Sequence, residues 1–141
     1  MRVSSIMTRY VEFVDPDATV KEAAELMGEL DVGALPAGGE ERVEGIVTDR
    51  DILYRVVARG LDPTRVRVRD ILSRPVIACG EDDSVTAAMD MMAANHIRRM
   101  PVHDARGRVS GWITLADLAR KLLVESEALQ GTLRAMTEPE G

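Results

Sequence analysis

Apolar side chains recur at steps of three and four residues in two separate stretches of the chain. Each stretch follows a residue that favours helix starts, Thr19 in the first and Ser84 in the second. An apolar stripe at this spacing is typical of a helix with one buried face. The pattern predicts two such helices, with buried stripes at Val20, Ala23, Ala24, Met27 and Leu30 in the first and at Val85, Ala88, Met89 and Met92 in the second.

Two short apolar runs follow each of these helices and are separated by turn-forming residues. Residues 33–37 and 42–47 form one pair, and residues 98–102 and 108–113 form the other. The intervening sequences contain GGE in the first pair and DARG in the second, and both favour tight turns. The chain is therefore expected to form one hairpin after each helix.

One segment occurs twice along the chain. Residues 45–52 (GIVTDRDI) return as residues 111–118 (GWITLADL), sixty-six positions later, and an offset of 65 aligns much of the sequence before them. A glycine, two apolar residues and Thr-x-x-Asp indicate a strand that passes directly into a helix. The duplication predicts a repeated fold unit, with a second amphipathic helix in each copy. The apolar residues of these helices are Ile52, Leu53, Val56 and Val57 in the first copy, and Leu115, Leu118, Ala119, Leu122 and Leu123 in the second.

The Thr-x-x-Asp motif has two interpretations. In the first, Thr48 and Thr114 are helix N-caps, and Asp51 and Asp117 complement the helix dipole in the first turn. In the second, the same hydroxyls and carboxylates bind a ligand that carries hydroxyl groups and phosphate. Two copies in matching contexts favour the ligand-binding interpretation more than a single copy would.

The repeat also predicts where the chain divides. We expect one repeat over residues 1–58, a linker over 59–67 and a second repeat over 68–124. The remaining segment, 125–141, is expected to be a C-terminal helix followed by a flexible tail. Because the linker is short, the two halves should pack together.

Composition narrows the function classes. The 141 residues include 24 acidic and 18 basic side chains, for a formal net charge of −6, so broad attraction to nucleic acid or anionic lipid is not expected. The single cysteine, Cys79, cannot form an intrachain disulfide, and no apolar run is long enough to span a bilayer. These features predict a cytoplasmic protein without a membrane partner.

Order, spacing and duplication together resemble a tandem cystathionine beta-synthase (CBS) domain pair. The similarity covers about residues 1 to 124, and the segments 48–52 (TDRDI) and 96–102 (HIRRMPV) are typical of stand-alone bacterial members, including the hypoxic response type. The resemblance implies a mixed α/β (α+β) fold in which each repeat has a short mixed sheet and two helices, packed with pseudo-twofold symmetry. It also implies two clefts for adenosine-containing ligands and association into a homodimer.

The resemblance assigns roles to the motif residues. A carboxylate at Asp51 or Asp117 can accept hydrogen bonds from both hydroxyls of a ribose. AMP, ADP, ATP and S-adenosylmethionine are the candidate regulatory ligands, and no cofactor is required. The short strands expected around Val14 and Ile77 could supply the walls for the base. The predicted nucleotide-binding residues are Thr48, Asp51, Thr114, Asp117, Arg98, Arg99 and Arg50.

The two clefts are not expected to be equal. The second copy has Arg98 and Arg99 where the first has Gly33 and Ala34, and guanidinium groups bind phosphate bidentately. In the first copy, Asp49 should repel phosphate, although Arg50 could offset its charge. One better phosphate-accepting cleft is therefore expected, and either motif could share the arginines. The alternative is that both arginines are merely solvated charges on an edge strand.

Other function classes have weaker support. The sequence has no nucleophile with an identifiable base, no phosphate-binding loop of the Walker type and no zinc-type histidine spacing, so neither an enzyme nor a metal site is predicted. The leading hypothesis is a non-catalytic module that signals to a separate, unknown effector protein. The alternative is a ligand-free structural or protein-interaction module. Nucleic-acid binding through the basic segment 65–69 is opposed by the acidic balance.

Overall fold

The computed structural model of the chain describes residues 1–125 and 127–137. The first repeat contains α1 (Val20–Leu30), β1 (Ala34–Gly38), β2 (Val43–Thr48) and α2 (Asp49–Ile52), which continues as a π-helical stretch over Leu53–Val57. The second repeat contains β3 (Cys79–Gly80), α3 (Val85–Asn95), β4 (Arg99–His103), β5 (Val109–Thr114) and α4 (Leu115–Glu125). A last helix, α5, spans Glu127–Thr137.

The predicted helix starts are confirmed at both N-caps. The Thr19 hydroxyl accepts a hydrogen bond from the backbone N–H of Glu22 at 3.1 Å, and the Ser84 hydroxyl accepts one from Ala87 at 3.0 Å. Both helices end at a residue in the left-handed conformation, Asp31 for α1 and His96 for α3. The two repeats therefore build this helix from equivalent parts.

Each repeat forms the expected antiparallel hairpin. In the first, β1 pairs with β2, and in the second β4 pairs with β5 while β3 adds a short parallel strand beside β4. The strands begin and end one residue later than the sequence pattern predicts. The brief strands expected around Val14 and Ile77 differ from the prediction: Val14 forms only an isolated bridge to Ala37, and the short strand of the second repeat lies at Cys79–Gly80.

The second helix of the first repeat departs from the predicted amphipathic stripe. Val56 is fully buried, whereas Leu53 and Val57 are 50% and 61% exposed. These residues lie in the π-helical stretch, and the regular α4 also exposes Leu122, at 37%, although it belongs to the predicted stripe of that helix. Of the predicted tail, residues 138–141 lie outside the described residues, and Thr137 is the last residue of α5.

The two hydrophobic cores do not coincide with the two sequence repeats. The short 3₁₀ turn Val3–Ser5, at the start of the first repeat, packs into the core of the second through Val3. The corresponding turn Val68–Asp70, together with Ile71 and Leu72, packs into the core of the first. The repeats thus exchange their leading segments, and each core is completed by the first residues of the other repeat.

The repeated glycines stand where the exchanged segments cross the hairpins. A Cβ at Gly45 would lie 2.8 Å from Cβ of Leu72, and a Cβ at Gly111 would lie 2.5 Å from the sulfur of Met7. Ile46 and Trp112, the next residues, pair with Ser73 and Thr8 of the crossing segments. Glycine is needed here because the two backbones approach too closely for a side chain.

Candidate functional site

The first Thr-x-x-Asp motif lies at the junction of β2 and α2. The Thr48 hydroxyl accepts a hydrogen bond from the Asp51 N–H at 3.0 Å, and the Asp51 carboxylate accepts one from the Thr48 N–H at 3.0 Å. This reciprocal pair is a capping box, which satisfies backbone donors at the start of the helix. The capping interpretation of the first motif is therefore confirmed.

The Asp51 carboxylate has further partners in the exchanged segment. The Ser73 hydroxyl lies 3.0 Å from both carboxylate oxygens, and Asp51 is only 8% exposed. Nε of Arg55 lies 3.7 Å from the same carboxylate, and its guanidinium donates to the backbone carbonyls of Ile71 and Leu72 at 3.0 and 3.1 Å. Asp51 thus fastens the first repeat to the leading segment of the second.

The second motif, between β5 and α4, is more open. The Thr114 hydroxyl accepts from the Asp117 N–H at 3.1 Å, and the reciprocal bond to the Asp117 carboxylate is longer, at 3.3 Å. Thr8 occupies the position equivalent to Ser73, but no hydrogen bond joins its hydroxyl to Asp117 in the described part of the chain. The Asp117 side chain is 26% exposed and pairs with the exposed Arg120 at 2.9 Å.

The first cleft, of about 350 Å³, lies between the first motif and the start of β4. Its lining residues include Thr48, Asp49 and Arg50 from the first repeat and Arg98 and Arg99 from the second. Asp51 does not line this cleft, because it lies beneath Ser73. The other lining residues are Ile46, Ser73, Pro75, Ile77, His96 and Ile97.

The second cleft consists of two adjoining pockets of about 370 and 590 Å³ that share Val32, Ala34, Trp112 and Thr114. The smaller pocket, which we call the Asp117 pocket, is lined by Asp117. The larger pocket, which we call the arginine pocket, is lined by Arg98 and Arg99 beside the start of α4. The remaining residues of the Asp117 pocket are Thr8, Tyr10, Val11, Glu12, Leu30, Leu35 and Pro36, and those of the arginine pocket are Gly33, Leu115, Ala116 and Ala119.

Arg98 and Arg99 line both clefts, so the pair stands between the two motifs. Within residues 1–125 and 127–137, neither guanidinium makes an ion pair or a hydrogen bond. Arg98 is exposed and Arg99 is half-buried. Arg50 stacks on the Tyr54 ring at 5.6 Å. The structure thus places Arg98 and Arg99 beside both motifs, whereas the sequence did not indicate which motif shares them.

Several residues around the site were missed by the sequence reasoning. Ser73 holds the Asp51 carboxylate, and its alignment with Thr8 at the offset of 65 was the available signal. Thr8 lines the second cleft. Gly33 matters because a Cβ there would lie 2.9 Å from Oδ2 of Asp49 and 3.3 Å from Nη1 of Arg99.

Other candidate chemical groups lie elsewhere. Cys79 is buried in β3, and burial, assisted by the Asp83 charge, raises the pKa of its thiol to about 11. The described residues contain no group of three or more possible metal ligands among His, Cys, Asp and Glu. No helix in the same part of the chain is long and apolar enough to cross a bilayer.

The arginines of the linker segment are engaged within the protein. Arg69 bonds to Asp17 at 3.0 Å and to Glu44 at 2.7 Å, which raises the pKa of its guanidinium. Arg67 donates to the backbone carbonyl of Asp17 at 3.0 Å. These contacts hold Arg67 and Arg69 of the basic segment 65–69 against the first repeat, so both guanidinium groups already have partners within the protein.

Comparisons with known proteins agree with the two-repeat architecture. The family model described as "CBS domain" matches residues 3–58 and 68–124. The CBS domain-containing protein YhcV of Bacillus subtilis is 37% identical over 117 residues, which cover 83% of this chain and 82% of YhcV. Hypoxic response protein 1 of Mycobacterium tuberculosis is 35% identical over 118 residues, again 83% and 82% of the two chains.

Solved structures share the fold. A protein with CBS domains from Burkholderia ambifaria superposes with a TM-score of 0.83 at 27% identity, and the match covers 90% of this chain and 97% of that protein. A hexameric CBS-CP12 protein from bloom-forming cyanobacteria superposes with a TM-score of 0.76 at 31% identity, over 90% and 75% of the two chains. The structural neighbours thus include a self-associating protein.

Proposed function

Because the chain belongs to the CBS domain family and carries two CBS repeats, we propose that it is a regulatory module that binds an adenosine-containing ligand in the second cleft. The observation that carries the proposal is the placement of Asp117 and the Arg98–Arg99 pair in adjoining pockets. The ligand acts by binding one arrangement of the repeats more tightly than another. The signal then passes to a separate effector protein.

The Asp117 pocket suits a ribose and a base. Its carboxylate is partly exposed and can accept charge-assisted hydrogen bonds from both hydroxyls of a ribose. Val11, Val32 and Trp112 offer apolar surface for an adenine ring in the same pocket. The existing ion pair with Arg120 is exposed, so a ligand can displace it at small cost.

The adjoining pocket suits a phosphate. Arg98 and Arg99 have no partner among the described residues, so phosphate binding breaks no existing ion pair of theirs. The Thr114 hydroxyl lies where the two pockets join and can donate to the ligand. AMP, ADP, ATP and S-adenosylmethionine all combine an adenosine with a charged or polar extension, and they are the compounds to test.

Thermal unfolding with millimolar concentrations of each compound tests the proposal. A ligand that binds only the folded state adds about 2.7 kcal/mol at one hundred times its dissociation constant. We expect a rise in Tm with at least one compound that is abolished in Asp117→Ala and retained in Asp90→Ala, an exposed acidic residue of α3 outside the clefts. No rise with any compound would refute nucleotide binding.

The first motif supports the second candidate function, a structural or interaction module. Its Asp51 carboxylate is already bonded to Thr48 and Ser73, so the motif ties the repeats together without a ligand. If the whole protein is such a module, both aspartate substitutions lower the stability and no compound raises it. The same unfolding experiment therefore separates the two functions.

Self-association is a further part of the proposal. Leu53, Tyr54 and Val57 form an apolar surface along the π-helical stretch, and each is at least half exposed. A patch of this kind fits a second copy of the chain in a homodimer. Light scattering after size exclusion should give twice the chain mass for the native protein and a smaller mass for Val57→Asp. A native monomer would refute the homodimer.

A further inference from the structure

The residue after the motif threonine differs in charge between the two repeats. Asp49 follows Thr48 at the start of α2, and Leu115 follows Thr114 at the start of α4. Both residues border a cleft that contains Arg98 and Arg99. The two clefts therefore present the same pair of cations against different neighbours.

Asp49 places a carboxylate in the first cleft, beside the backbone donor at the start of α2. Its Oδ1 accepts a hydrogen bond from the Arg50 N–H at 2.8 Å, which is a donor that a bound anion would need. Its Oδ2 and Nη1 of Arg99 both border Gly33, at 2.9 and 3.3 Å from the point that a Cβ would occupy, although the two groups form no ion pair among the described residues. The carboxylate is exposed at the cleft and adds a negative charge there.

The second repeat lacks this obstacle. Leu115 carries no charge, and in the described part of the chain no side chain accepts a hydrogen bond from the N–H of Ala116, in contrast to the bond between Asp49 and the Arg50 N–H. Arg98 and Arg99 lie in the same pocket, so cations and an open backbone donor converge on one space. This pocket has no acidic side chain among its described lining residues, whereas the first cleft has Asp49 beside Arg50, so a phosphate on this side of the arginine pair meets no carboxylate.

We propose that Asp49 excludes phosphate from the first cleft and thereby assigns the shared Arg98–Arg99 pair to a ligand in the second. This inference rests on the proposed function, because it concerns how the same nucleotide site selects its ligand. One charge placed beside a bound phosphate at the partly solvated edge of a cleft changes affinity by about tenfold. Asp49 is a specificity-determining residue, and it acts on the phosphate and not on the adenosine.

Calorimetric titration of the whole chain with ADP and with adenosine tests the proposal. Leu115→Asp transfers the acidic group to the second repeat, at a helix start where aspartate is well tolerated. We expect it to weaken ADP binding by about tenfold and to leave adenosine binding within about twofold. Asp49→Asn should strengthen ADP binding or add a second ADP per chain, again with adenosine binding unchanged. Asp90→Asn is the matched control.

If Asp49→Asn changes neither the ratio of ADP to adenosine affinity nor the number of ADP molecules bound per chain, the proposal is overturned, even if Leu115→Asp has its effect. An equal loss of both ligands in Leu115→Asp also overturns it, because the change then damages the whole site. If, in either case, the native protein binds ADP and Asp117→Ala does not, the proposed function stands and only the role of Asp49 is refuted. If the native protein binds neither ligand, the proposed function itself is refuted and this inference falls with it.

Discussion

Replacing Asp51 by alanine should destabilise the protein without any ligand. The substitution removes the capping box with Thr48, which contributes about 1 kcal/mol to a helix start. It also leaves the half-buried Ser73 hydroxyl without its acceptor, for about 1 kcal/mol more. The partly exposed Arg55 adds little. We expect a loss of about 2 kcal/mol in the free energy of unfolding, and a Tm lowered by about 7 °C.

The equivalent change in the second repeat is the internal control. Asp117→Ala removes a hydrogen bond from the Thr114 N–H that is longer than its counterpart in the first motif, and an exposed ion pair with Arg120. Among the described residues, Thr8 does not bond to Asp117 as Ser73 bonds to Asp51. We expect a loss of about 0.5–1 kcal/mol. Urea denaturation of the ligand-free protein, followed by circular dichroism, measures both losses from the shift in midpoint.

A double-mutant cycle isolates the contact between the repeats. Ser73→Ala alone should cost about 1 kcal/mol, and its effect should largely disappear in the Asp51→Ala background, because the two groups bond to each other. Equal losses for Asp51→Ala and Asp117→Ala would refute the argument that the two motifs differ. Additive losses for Asp51 and Ser73 would refute the contact itself.

Further substitutions test the packing of the glycines, the cap of α3 and the titration of the buried cysteine. Gly111→Ala should cost about 1–3 kcal/mol because its methyl would meet the sulfur of Met7, whereas Gly28→Ala, with open space in α1, should stabilise by about 0.5–1 kcal/mol in the same urea assay. Ser84→Ala should cost about 1 kcal/mol through the lost cap of α3. The buried Cys79 thiol should react with a thiol reagent at pH 8 only after unfolding. Because its folded pKa of about 11 lies above the ordinary value, stability should fall as the pH rises from about 9 to 11, and less so in Cys79→Ala.

Local features of the fold were predictable from the sequence. The N-caps at Thr19 and Ser84 and the two hairpins follow from short-range patterns, and the structure confirms them within one residue at the strand ends. The duplication of Thr-x-x-Asp predicted two equivalent strand-to-helix junctions, and both are present. Each of these features depends on residues that are neighbours in the chain.

The features that were not predictable depend on contacts between the repeats. A sequence repeat indicates that two units are alike, but not that the turns at Val3 and Val68 lie in each other's cores. The capping aspartates look the same in sequence, and only the crossing of Ser73 over Asp51 makes one of them buried. In the same way, the position of Arg98 and Arg99 between two clefts follows from the packing of the halves. The π-helical stretch, in which Leu53 is exposed, has no short-range sequence signal.

The exchange of leading segments makes the chain a covalent version of a swapped dimer. A fragment that ended in the linker would retain Val3 and Met7 but would lack Val68, Ile71 and Leu72, which belong to its own core. A molecule with one copy of the repeat could fill that gap only with the segment of a second molecule. Because both copies belong to one chain and are joined by a short linker, each core finds its missing segment within the same molecule, at a high effective concentration. The unit of folding in this protein is therefore the pair.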